Sequence, residues 1–159
     1  MNAALKKVNS AGFTLIELLV VISVVIALAV AVTVALNPGQ RLKDARDARR
    51  TADVDSILTA IHQSIVDQKG TSPTVLGTLE KQLGTAATGC AIATGGCTAT
   101  VVSCADLTTD LAKYLKSIPL DPKTGAAGTT NYAASQDSNG IVTIKACGTE
   151  GTSNISGSR

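Results

Sequence analysis

One carboxylate and four thiols are the groups in this chain whose setting asks for chemistry. Glu17 lies inside the 24-residue run 13–36, where every other residue except Thr14, Ser23 and Thr33 is apolar. A charge held at mid-membrane costs about 2.5–3.5 kcal/mol on insertion scales, so such groups are usually paired or functional. The thiols, Cys90, Cys97, Cys104 and Cys147, all fall in the carboxyl-terminal half, which is rich in Thr, Gly, Ala and Ser. An even number of cysteines in a stretch poor in large side chains reads as disulfides formed in an oxidising compartment. Their spacing is unlike the tight pairs of structural zinc sites, so no metal is expected. Three pairings are possible; the sequence favours Cys90 with Cys97, closing a short loop, and Cys104 with Cys147, tying a helix start to a late strand.

No other group assembles a reaction. His62 is the only histidine, and its place within an amphipathic stretch makes it a solvated helix residue. Asp121 and Asp137 sit among turn formers and read as turn residues rather than an acid/base pair. Gly95-Gly96 lacks the Lys-Ser/Thr that completes a phosphate-binding loop. No catalytic constellation and no cofactor are expected, and the chain does not read as an enzyme. A net charge of +2 over 159 residues gives no field that argues for nucleic acid.

The elements that must carry Glu17 and the cysteines follow from the apolar pattern. As a helix, 24 residues span roughly 36 Å, enough to cross a hydrocarbon core of about 30 Å. A buried core helix fits least well of the three readings, because so small a domain could not surround it on every side. A cleaved secretory signal fits poorly, since the run is too long and Asn37-Pro38-Gly39 follows it in place of a small-residue cleavage site. A membrane anchor fits. Pro38 and Gly39 interrupt it. Leu42, Ala45, Ala48, Ala52, Ile57, Leu58, Ile61 and Ile65 then recur at three- and four-residue spacings, which predicts an amphipathic helix ending near Gly70. Within it, the stretch 41–50 holds five basic and two acidic residues and reads as a solvated face with Asp44 and Asp47 in local pairs.

The string Lys6-Lys7-Val8-Asn9-Ser10-Ala11-Gly12-Phe13-Thr14-Leu15-Ile16-Glu17, followed by the apolar run, resembles the class III signal of type IV pilins and pseudopilins. The resemblance is strong to about Leu36, looser along the next helix and faint beyond. It implies cleavage between Gly12 and Phe13 by a prepilin peptidase, N-methylation of Phe13, and Glu17 at the fifth position of the mature chain. In that family the Glu meets the terminal amine of a neighbouring subunit, so Phe13 and Glu17 are the expected assembly residues; two buried opposite charges relieve each other's desolvation. Loss of Lys6 and Lys7 would leave twelve side chains of each sign. Counted by basic residues flanking the span, 41–50 would favour a cytoplasmic carboxyl-terminal side. The family has the reverse topology, with the leader cytoplasmic, and disulfides agree with the family.

The expected organisation is therefore a leader over 1–12, a membrane and filament-core helix over 13–36, a break and amphipathic helix over 37–70, and a disulfide-containing head over 71–159. In the head, 73–83 and 106–117 are expected as short helices, the latter capped by Asp106 with Leu107, Leu111, Tyr114 and Leu115 buried. Ile118-Pro119-Leu120-Asp121-Pro122 resembles a Leu-Pro-x-Asp-Pro stretch of pseudopilins and related pilins. Strands are expected at 131–134 and 140–147, and a loose tail from Gly148. The fold class is α+β: a long amino-terminal helix, membrane-spanning then amphipathic, against a small antiparallel sheet, pilin-like. The resemblance implies a structural subunit, a major pilin, of an extracellular filament; the alternative is a minor pilin or a pseudopilin of a secretion or competence apparatus. Its partners would be identical subunits, the peptidase, the assembly machinery and, before assembly, the cytoplasmic membrane, with nucleic acid only as a role of the whole filament. An anchored binding module that never polymerises is the rival of another class.

Overall fold

The computed structural model describes residues 12–151 and 154–159. Residues 1–11, which include Lys6 and Lys7 and most of the expected leader, lie outside the described residues. The chain divides into two compact units after Arg41.

The first unit is built on α1, Leu15–Leu36. Thr14 is its N-cap in extended backbone, and the Thr14 hydroxyl accepts a hydrogen bond from the Glu17 amide at 3.3 Å. No Gly or Pro weakens the interior. The two hydroxyls on its apolar surface bond back to the helix, Ser23 to the Val20 carbonyl and Thr33 to those of Ala29 and Val30, so neither is left bare. Asn37 ends it with φ 41°, a left-handed conformation that Asn tolerates. Pro38 then opens α2, Pro38–Asp67, at the position where its missing amide is no loss. The interruption is one residue long, and the Asn37 carbonyl accepts from the Gln40 and Arg41 amides.

In the second unit, α2 buries Arg50, Val54, Ile57, Leu58, Ala60, Ile61 and Ser64. This differs from the expected stripe in its first half. Leu42, Ala45, Ala48 and Ala52 are exposed, and the buried face begins at a charged residue, Arg50. The helix closes with the Gly70 amide on the Ile65 carbonyl and the Lys69 amide on that of Val66, a Schellman arrangement with Lys69 left-handed at φ 57°.

Four antiparallel strands follow: β1 Lys81–Gln82, β2 Tyr132–Gln136, β3 Val142–Ala146 and β4 Ile155–Ser158, paired in the order β1-β2-β3-β4. The architecture is α+β, a long amino-terminal helical segment with its second part packed on a small open sheet. Tyr132, Ala134, Val142, Ile144 and Ala146 face Val54, Ile57, Leu58 and Ile61 of α2 in the main core. Ala133 points to the other side of the sheet, onto Cys97, Cys147 and Ile92. Gly157 of β4 lies so close to α2 that a Cβ there would sit 3.2 Å from Val54.

Three expectations for the head are corrected. Residues 73–83 form one turn and then β1, because the Gly77 carbonyl is taken by the Gln136 amide and Leu83 pairs with Tyr132 and Ala105. Residues 106–117 form consecutive turns rather than a helix, although Leu107 and Leu111 are buried as expected. Asp106 accepts from the Thr108 amide and hydroxyl, the bond expected of a cap, but the residues after it continue as turns. The tail is not loose: 155–158 extends the sheet through pairing with β3.

Candidate functional site

At the amino end of α1, Phe13 is fully displayed and nothing approaches the Gly12 Cα face. Every Leu, Ile and Val of α1 is at least half exposed, and no residue of the helix is buried. This is a helix long and apolar enough to cross a membrane, and no described residue covers it. Glu17 stands in its first turn, three residues after the Thr14 cap. The Thr-x-x-Glu spacing is also that of a capping box, and the positive end of the helix dipole favours a carboxylate there. The reciprocal bond is not made: among the described residues the Glu17 carboxylate has no hydrogen bond or ion pair, while its amide serves Thr14. The helix thus presents an unpartnered acid on an uncovered apolar surface.

The head carries a second charged arrangement that the sequence reading missed. Arg50 is wholly buried and donates from Nε and Nη2 to the two oxygens of Asp121 at 2.6 and 3.1 Å. Both side chains are shut off from water. Arg50 also reaches Asp47 at 2.8 Å, Arg46 pairs with Glu150, and Lys123 meets Glu150 at 2.8 Å. Asp47 in turn accepts the Glu150 and Gly151 amides. The cluster fastens the 120–125 loop and the 148–151 turn to α2.

Burial pushes the Asp121 carboxyl up, but the bonds from Arg50 and from the Lys123 and Thr124 amides outweigh it and hold it below the ordinary carboxylate range. Asp47 is lowered in the same way, against burial, by the Glu150 amide and Arg50. Glu150 is drawn down to about 2, by Arg46 first and then Lys123. Burial alone would lower the Arg50 guanidinium, yet Asp121 and Asp47 raise it, so the group stays charged.

Asp121 is therefore a turn residue, as expected, and also the buried counter-ion of Arg50. The stretch 41–50 is a solvated face only in part. The signal available in the sequence was an Asp between Pro119 and Pro122, but nothing local names Arg50 as its partner. Two glycines make room for it: a Cβ on Gly125 would meet the Asp121 amide nitrogen at 2.2 Å, and one on Gly148 would meet Asp121 Oδ2 at 2.5 Å.

All four cysteines are in disulfides, but the favoured pairs are corrected to Cys90–Cys104 and Cys97–Cys147. The reason is strand placement. The Ile92–Ala99 bridge folds 90–104 into a hairpin-like loop whose ends meet, and Gly95 lets that loop close onto the Cys147 carbonyl. Cys97 is thereby delivered to the back of the sheet, beside Ala133. Gly95-Gly96 thus serves a close backbone approach. His62 is half-buried with its Nε2 buried and unpartnered, not simply solvated as expected. Asp137 is the turn residue expected of it, its carboxylate accepting the Asn139 and Ile141 amides. Among the described residues no three His, Cys, Asp or Glu side chains gather as metal ligands. Comparison with protein-family models, with curated proteins and with solved structures finds no match to this chain.

Proposed function

We propose that the chain is a structural subunit of a type IV pilus-like surface filament, a major pilin, cut between Gly12 and Phe13, methylated at Phe13 and polymerised through α1. The observation that carries this reading is the uncovered apolar helix with Glu17 unpartnered in its first turn. Such a surface is soluble in lipid before assembly and in a bundle of like helices afterwards. There the new Phe13 amine of a neighbour is the natural counter-charge for Glu17, and neither group is then stranded without a partner. The disulfide-bonded head suits an oxidising exterior.

Two measurements test it. The intact mass of the surface material is expected to correspond to a chain beginning at Phe13, heavier by one methyl group and lighter by the four hydrogens of two disulfides. Glu17→Ala is expected to abolish filaments or reduce them severely while processing continues. Full-length mature protein, or normal filaments without Glu17, would overturn the proposal. The 118–122 stretch favours a second reading, a pseudopilin or minor pilin, because it resembles their Leu-Pro-x-Asp-Pro segment and its Asp121 is a buried structural residue. A major subunit dominates the sheared filament fraction; a minor one does not.

A further inference from the structure

The carboxyl-terminal strand carries a triplet that the proposed function does not use. Asn154-Ile155-Ser156 is the only Asn-x-Ser/Thr triplet in the sequence, the acceptor pattern for N-linked sugars on extracellular proteins. The pattern alone arises often by chance, so the geometry decides. Asn154 and Ser156 are both exposed, and Ile155 between them turns towards the core. Asn154 stands one residue before β4, at the end of an edge strand. Its amide group lies over Gly96, where a Cβ would come within 2.6 Å of Cγ. Among the described residues no protein group bonds the Asn154 amide or the Ser156 hydroxyl, whereas the neighbouring Ser158 hydroxyl is engaged with Thr143 at 2.9 Å.

The backbone is equally open. Val142 and Arg159 exchange both of their hydrogen bonds, so in the alternation of an antiparallel ladder Gly157 and Ile155 also point their amides and carbonyls at β3. Those of Ser156 point off the free edge of the sheet. Acceptor amide, hydroxyl and outward backbone are thus presented together, on the side where an enzyme can read them.

We infer that Asn154 is an N-glycosylation site. In the step, Asn154 Nδ2 attacks the anomeric carbon of an oligosaccharide carried on a polyprenyl diphosphate. The N–C bond forms, the C–O bond to the diphosphate breaks, and the diphosphate leaves with the electron pair. Nδ2 gives up one proton to a base of the membrane transferase. The sugar stands at the end of β4 and screens an edge that would otherwise template pairing between chains. The inference rests on the extracytoplasmic placement of the head in the proposed function.

The test is a tryptic digest of reduced full-length protein from the producing cell, read by mass spectrometry for the peptide 146–159. The expected result is a peptide heavier by whole sugar residues, with the mass added on Asn154. Asn154→Gln and Ser156→Ala remove that addition, and Ser156→Thr retains it. A bare wild-type peptide overturns the inference, as does an addition that survives Ser156→Ala. The same digest reports whether the chain starts at Phe13. A bare Asn154 on a processed chain sinks the sugar alone, and an unprocessed chain counts against the proposed function.

Discussion

Replacing Arg50 by Ala removes one member of a charge pair from which water is excluded, while Asp121 stays where its loop holds it. The two Arg50 bonds to Asp121, at 2.6 and 3.1 Å, are lost, together with the one to Asp47. Breaking a buried pair from one side costs about 3–5 kcal/mol, mostly because the survivor is left charged and unpaired. Asp121 keeps the Lys123 and Thr124 amides at 2.9 and 3.0 Å, which places the expectation at the lower end, about 3 kcal/mol. That is a large share of the 5–15 kcal/mol typical of a domain, and corresponds to a drop in Tm on the order of 10 °C.

The assay is urea unfolding of residues 38–159 with disulfides intact, followed by far-UV circular dichroism. Arg49→Ala is the control: Arg49 is 67% exposed and only loosely paired with Asp53 at 3.9 Å, so its loss is worth less than about 0.5 kcal/mol. Arg50→Met combined with Asp121→Asn recovers at least half of the loss, since no charge is stranded and the amide oxygen still accepts both backbone donors. If Arg50→Ala costs no more than Arg49→Ala, the reasoning about the cluster is refuted.

Further outcomes follow from the same contacts. The folded chain holds Asp121, Asp47 and Glu150 below their ordinary values, and the unfolded chain does not. Their contribution is therefore complete above about pH 5 and is lost as pH falls through the folded values; the urea midpoint declines between about pH 5 and pH 3, and a flat profile there would contradict it. Gly125→Ala destabilises more than Gly148→Ala, because the first Cβ strikes the Asp121 backbone and the second strikes a side chain; both are expected to cost about 1–3 kcal/mol in the same urea assay. Fragments from a digest that cuts between the cysteines join Cys90 to Cys104 and Cys97 to Cys147. Breaking the second bridge costs about 1 kcal/mol more than breaking the first, in the loop-entropy account, because it closes 50 residues rather than 14.

The apolar helix, the break at Asn37 and the stop at Gly70 were legible along the chain, because each is decided by residues within about one helical turn; the Thr14 cap was seen only in the structure. The strands expected at 131–134 and 140–147 were legible for the same local reason, with Asp137 turning between them, and stand at 132–136 and 142–146. What the string could not decide was who meets whom across long separations. Arg50 and Asp121 lie 71 positions apart, and only the packed loop shows that one basic residue of five is buried. The disulfides joined in a pattern that nearest spacing does not favour, since the sheet brings Cys147 behind Cys97. The 155–158 strand has no apolar alternation of its own and exists because β3 offered it an edge. The amino-terminal segment is thus governed by its own side chains, and the head by contacts that come into being only when distant segments are packed against α2.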